Sequence, residues 1–172
     1  MHAAEVVALG YDYPTPSRVD DLKVLVDSSV RGVALRRMTD FIDQIGALAL
    51  GEWEELHTST LDLSPIFVPY VGHVQWGENY RRGEFMADLK REMKHEGVDL
   101  GGELPDHIAP VLRYLAKASE PLPDLVDVLT SAVAEMKSTL QKAAPANPYL
   151  HLLAATAAIV EDQNVLIIRG SR

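Results

Sequence analysis

Apolar residues recur at three- and four-residue intervals along most of the chain, with charged and amide residues between them, the signature of helices that bury one face. From Arg18 to Leu50 the apolar set is Leu22, Leu25, Val26, Val30, Val33, Ala34, Phe41, Ile42, Ile45 and Leu48. That spacing predicts a helix or helix pair, with Ser17 and Asp20 at its start and Gly51 at its end. Thirty-odd residues is long for one helix, so a break is expected at the polar Arg36-Arg37 and Thr39-Asp40. Leu61 to Gly77 is apolar and aromatic but interrupted by Pro65, Pro69 and Gly72, which predicts short or bent helix. Glu78 to Glu96 is regular again, with Phe85, Leu89 and Met93 at four-residue spacing and Gly97 as the C-terminal cap. Beyond two adjacent glycines, Pro105 is placed in the first turn of a helix carrying Ile108, Val111, Leu112 and Leu115. Pro123 opens another, with the stripe Leu125, Val128, Leu129, Ala132, Val133, Met136 and Leu140. Asn147-Pro148 reads as cap and first helical residue of the apolar stretch Tyr149 to Val160. Val165 to Arg172 predicts strand or an irregular end, and 162–172 a flexible C-terminal tail. The expectation is an all-α single domain over 1–172, a bundle of about six to eight helices.

Composition narrows the functions open to such a bundle. The 172 residues are 47% hydrophobic and 24% charged, an ordinary globular balance. No apolar run approaches the ~20 residues of a bilayer span. The N-terminal MHAAEVVALGYDYP makes a poor export signal, so no membrane insertion and a cytoplasmic location are expected. With no cysteine there are neither disulfides nor thiolate metal sites. A net charge of −9 repels phosphate backbones, and Arg36-Arg37 and Arg81-Arg82 are too short to reverse it, so no nucleic-acid partner is expected. An acidic surface favours a cationic partner instead.

Little in the chain advertises chemistry. Neither GxxxxGK[ST] nor GxGxxG is present, and the six histidines include no HExxH pair. Glu103 and His107 stand four residues apart, but Pro105 between them puts Glu103 outside the expected helix, so no metal site is assigned. Asp106 and His107 are sequence neighbours, which on a helix point about 100° apart and make a poor catalytic dyad. A small Asp/His hydrolase is therefore the weaker alternative. The structural roles for these two are a helix N-terminal carboxylate for Asp106 and a half-buried ring bonded to nearby backbone for His107. Four of the chain's eleven aromatics, Phe67, Tyr70, Trp76 and Tyr80, fall within fourteen residues. They are interleaved with Gly, His, Gln, Asn and Arg, a pattern suited to a groove with one wet edge as well as to a core.

The run PYVGHVQWGENYRRGEFMADLKREMKHEGVDLGGELPDHIAPVLRYLA resembles the NarJ-type branch of the TorD family, the chaperones that help assemble molybdenum-containing reductases. Glu103-Leu104-Pro105-Asp106-His107 matches the family's E-L-P-D-H signature, and Leu9 to Pro14 resembles its N-terminal helix ending in Tyr-Pro. Phe67 to Gly72 and Gly77-Glu78 fall where the family places its aromatic-glycine positions before a basic residue, here Arg81, although Val68 and Pro69 replace bulkier residues. The resemblance implies an all-helical, cytoplasmic, non-catalytic protein, monomer or homodimer. It implies binding to the N-terminal leader of the apo catalytic subunit of a molybdenum oxidoreductase, of nitrate reductase or nitrite oxidoreductase type. The client would be held until bis-molybdopterin guanine dinucleotide is inserted, with no cofactor bound stably by the chaperone itself. Capture of an amphipathic helix would use a groove of Phe67, Tyr70, Val71, Trp76 and Tyr80, with Arg81 beside it and Glu103, Pro105, Asp106 and His107 at the rim. Asp106 would offer charge to a basic leader, and His107 a charge that varies near neutral pH. A helical adaptor, or a subunit of a permanent complex, is the alternative of a different kind.

Overall fold

The strongest sequence pattern, Leu125 to Leu140, is buried at every stripe position in the computed structural model, which describes residues 1–63 and 65–170. Among the described residues the chain forms α1 (Ala3–Leu9), α2 (Arg18–Ser29), α3 (Gly32–Gly46), α4 (Leu50–Leu61), α5 (Val71–Trp76), α6 (Tyr80–His95), α7 (Ile108–Lys117), α8 (Leu125–Ala143) and α9 (Tyr149–Gly170). Seven have ten or more residues, and α1 and α5 are short segments of seven and six. The fold is an all-α, single helical domain. Helix α9 packs chiefly against α3 and α8, α1 against α7, and α5 against α8 and α6. Tyr149, Phe41, Met38, Leu112 and Leu129 are among the large side chains enclosed where these faces meet.

The helix pair after Arg18 is present, but its break lies earlier than the polar patch predicts. Val30 and Arg31 are extended, and Gly32 takes φ +62°, a left-handed turn that costs glycine little. Arg31 then folds back over α2, its guanidinium donating to the carbonyls of Asp27, Ser28 and Val30 at 3.0, 3.2 and 2.7 Å. Those are carbonyls that a helix end leaves without partners. Arg36, Arg37 and Thr39 are merely the solvent face of an unbroken α3. Ser17 donates to the Asp21 carboxylate instead of accepting from a helix N–H. Gly51 lies in the first turn of α4, whose start is fixed by Glu52 accepting from the Ala49 N–H at 2.8 Å.

Other termini follow their local chemistry. At the end of α6 the Val98 N–H reaches the Met93 carbonyl at 2.8 Å and the Gly97 N–H the Lys94 carbonyl at 3.3 Å, a Schellman closure around Gly97 at φ +62°. Asn147 accepts from the Tyr149 N–H at 2.9 Å and so caps α9. That helix continues through Gly170, where strand or a loose tail was expected. The run Val165 to Ile168 is apolar and, but for Leu166, β-branched, and so favours strand locally, yet it extends a helix already started. Ser171 and Arg172, the end of the expected tail, lie outside the described residues. Among the described residues, no helix is long and apolar enough to cross a membrane.

Candidate functional site

Pro105 starts a turn and not the helix. With φ locked by its ring it takes the second place of the turn Leu104-Pro105-Asp106-His107, closed by the His107 N–H on the Leu104 carbonyl at 3.0 Å. His107 then becomes the N-cap of α7, its Nδ1 accepting from the Ala109 N–H at 3.2 Å. Pro110 falls within the first turn of α7, where a missing N–H costs nothing.

The same turn is laced to the aromatic segment. Tyr70 and His107 form an isolated antiparallel bridge. In it the Val71 N–H donates to the Asp106 carbonyl at 2.8 Å and the Ile108 N–H to the Pro69 carbonyl at 2.9 Å. The Tyr70 ring stands edge-on to His107 at 5.2 Å, and its hydroxyl donates to Glu103 at 2.9 Å. Burial, with Glu103 accepting the proton bond, pushes the Tyr70 phenol up to about 12. Two motifs some thirty residues apart in sequence are thus one local structure.

Behind this bridge Asp106 is 0% exposed. Its carboxylate takes Arg82 Nε at 2.8 Å and Nη2 at 3.4 Å, while Arg82 Nη1 reaches Glu78 at 2.9 Å. The bond to Asp106 holds the Arg82 guanidinium above its ordinary pKa. The Asp106 carboxylate is therefore neither at a rim nor a cap for α7: an internal arginine consumes the charge expected to meet a basic leader. Among the described residues no hydrogen bond joins the Asp106 carboxylate to His107, so no Asp-His relay is assembled.

In front of the bridge opens a cavity of about 490 Å³ between the segment after α1, the end of α4 and the loop leading to α7. Tyr11, His57, His107 and Ala109 are its buried floor, and Asp62, Asp99 and Glu103 its exposed rim. The loop reaches Glu103 through Gly101 and Gly102 at φ +62° and +86°, backbone that a side chain would strain. Asp12 is held by Arg113, whose Nη2 lies 2.6 and 2.7 Å from its two oxygens. His57 Nδ1 lies 2.9 Å from the Tyr149 hydroxyl, which accepts from the Trp53 indole N–H at 3.2 Å. Trp53 only donates, so among the described residues His57 Nδ1 is the one acceptor open to the proton of the buried Tyr149 hydroxyl, and the proton goes there. Burial lowers the His57 pKa and pushes His107 down to about 4, with Arg113 adding to the latter. Both rings are neutral near pH 7, which corrects the expectation of a His107 charge that varies there.

The ten residues nominated from sequence separate into distinct places. Tyr70, Glu103 and His107 line the cavity, with Pro105 and Asp106 buried behind it. Phe67 and Val71 belong to the core. Trp76 is half-buried against Phe85, ring centroids 5.0 Å apart. Tyr80 is 74% exposed and Arg81 is also on the surface, Arg82 being the arginine that turns inward. The aromatics do not form one continuous groove. Missing from the nomination were Asp12, His57, Asp62, Asp99 and Arg113. The Tyr11-Asp12-Tyr13-Pro14 segment was visible as a motif, whereas His57 carries no local signal beyond Trp53 one helical turn earlier. Among the described residues, no group of three or more His, Asp and Glu is arranged to hold a metal ion. The cavity can thus offer neutral N–H donors from below, carboxylates from above and aromatic walls, an arrangement for recognition by hydrogen bonding and charge. Neither a protein-family model nor a curated protein matches the chain.

Proposed function

We propose that this protein is a client-binding maturation chaperone of the NarJ type within the TorD family. Its client is the apo catalytic subunit of a molybdenum oxidoreductase, of nitrate reductase or nitrite oxidoreductase type. It holds that subunit's N-terminal segment in the cytoplasm until the molybdenum cofactor, cargo of the client and not of the chaperone, is inserted. The observation that carries the reading is the antiparallel bridge between Tyr70 and His107. It joins the two segments on which the family resemblance rests and makes them one wall of an acidic cavity. The cavity, and not the run from Phe67 to Tyr80, is the client site, because only Tyr70 among those aromatics faces it. Three rim carboxylates favour a basic or positively ended segment and speed its encounter. Release demands modest affinity, in the micromolar range or roughly −8 kcal/mol. Titrating the folded chain with the N-terminal peptide of a co-encoded molybdoenzyme subunit tests the reading: saturable binding supports it, and no binding by any such peptide removes it.

A further inference from the structure

Two hydrogen-bond donors on the floor of the cavity are left unused by the protein. His107 Nδ1 is occupied by the Ala109 N–H and His57 Nδ1 by the Tyr149 hydroxyl, so each neutral ring carries its proton on Nε2. Both residues are only 6% exposed, both line the cavity, and among the described residues neither Nε2–H has a protein acceptor. Nor is either nitrogen sealed away, since Arg18 Nε is the one fully enclosed side-chain nitrogen or oxygen without a partner among the described residues. Above them Asp62, Asp99 and Glu103 form no ion pair among the described residues, whereas Asp12 is committed to Arg113 and Arg18.

This combination selects a ligand. An anion would satisfy the imidazole donors but meet three carboxylates, of which Glu103 holds only the Tyr70 hydroxyl and Asp99 the Gly101 N–H, and none has a cation among the described residues. A bare cation would satisfy the rim and leave the buried donors dry, at the cost of unmatched polar groups. What fits both is a cation rigidly close to a neutral acceptor. In a polypeptide the α-ammonium group meets that condition, standing two bonds from the first carbonyl carbon, whereas a lysine or arginine charge sits at the end of a flexible stem. We infer that the cavity captures the free N-terminus of a polypeptide, its α-ammonium among Asp62, Asp99 and Glu103 and its first carbonyl oxygens on the Nε2–H groups of His57 and His107. Capture of a terminal amine is an established mode of peptide recognition. The inference rests on the client reading above and changes what is read, from the apolar face of a helix to the end of the chain.

The test uses the full chain with labelled histidine rings, observed by NMR during titration with the tripeptide amide Ala-Leu-Leu, its N-acetyl twin, and acetyl-Ala-Lys-Leu amide. The free-amine peptide is expected to shift the His57 and His107 ring signals saturably, and both acetylated peptides to bind about tenfold more weakly or worse. The double variant Asp62→Asn/Glu103→Gln changes exposed side chains, and the glutamine amide oxygen can still accept from the Tyr70 hydroxyl. It is expected to weaken the free-amine peptide about fivefold or more, and the acetyl twin by a smaller factor. Equal binding of the free and acetylated peptides overturns the inference, as does tightest binding by the acetylated lysine peptide or the absence of any ring shift. A client leader that binds equally with and without acetylation overturns it too, while leaving the chaperone reading in place. A client leader that fails to bind while Ala-Leu-Leu amide binds supports the inference and removes the chaperone reading.

Discussion

Arg82 Nε lies 2.8 Å from Asp106 Oδ2, and the carboxylate it holds has no exposed surface. The pair ties α6 to the turn that precedes α7, and the backbone carbonyl of the same Asp106 anchors α5 through Val71. Removing Asp106 leaves the buried Arg82 with only the exposed Glu78 as an ion partner, and breaking a buried pair typically costs about 3–5 kcal/mol. Asp106→Ala is therefore expected to lower the denaturation midpoint sharply in a urea titration. The double variant Asp106→Leu/Arg82→Met should recover most of the loss. A single variant as stable as the parent would show that the pair contributes nothing.

Gly72 lets this arrangement close. A Cβ at that position would lie 2.8 Å from Asp106 Oδ2, 3.2 Å from the Phe85 ring and 3.3 Å from Arg82. The atoms crowded are those of a buried ion pair, which has little room to yield, so Gly72→Ala is expected to destabilise the fold by about 1–3 kcal/mol. Gly83, on the exposed face of α6 with open space around its Cβ position, is the control: alanine there should be neutral or stabilising by about 1 kcal/mol. Thermal denaturation of the two variants side by side decides it.

The buried state of His107 makes stability depend on acid. Its pKa in the fold is about 4, against an ordinary value of 6.5. Above pH 6.5 the ring is neutral folded or unfolded, and contributes no pH dependence. Between 6.5 and 4 the unfolded chain binds a proton that the folded ring refuses, so stability falls as pH falls. The full effect is about 3 kcal/mol, and His57, whose pKa burial also lowers, acts in the same direction. His107→Asn keeps an N-cap acceptor for Ala109 and removes the titrating group. Unfolding free energies measured from pH 7 to pH 4 should decline less steeply in that variant.

Local pattern accounts for what was legible in the sequence. The α8 stripe, the Gly97 closure of α6 and the Asn147 cap of α9 each depend on residues within one or two turns of each other. Pro105 shows where such reasoning stops, because the same locked φ suits a helix's first turn and the second place of a β-turn. The choice between them is made by the bridge to Tyr70, more than thirty residues away in the chain. Asp106 looked like an exposed cap because its partner, Arg82, is twenty-four residues distant. Arg81 and Arg82 are adjacent and chemically alike, and only the helical phase of α6 sends the second one inward. The cavity itself draws on segments near residues 12, 60, 100 and 110, and no single stretch of sequence carries its shape.

The His57 tautomer depends on a residue that never touches the cavity. The Trp53 indole N–H donates to the Tyr149 hydroxyl, whose own proton goes to His57 Nδ1, leaving the Nε2 proton to face outward. Tyr149→Phe keeps the ring and its edge contacts with Phe41 and His57 but removes the hydroxyl. Two buried polar atoms, Trp53 Nε1 and His57 Nδ1, then lose their partner, at a combined cost of about 2–4 kcal/mol. With no donor at Nδ1, the proton is free to move there, turning the ring's lone pair toward the cavity in place of its N–H. Ring nitrogen chemical shifts are expected to report an Nε2–H tautomer for His57 in the parent and a mixture in the variant, with His107 unchanged because its Nδ1 is held by the Ala109 backbone. Capture of the tripeptide amide Ala-Leu-Leu should weaken in proportion to the Nδ1–H fraction. A variant that keeps the Nε2–H form with undiminished peptide binding would show that the Tyr149 hydroxyl does not set the donor.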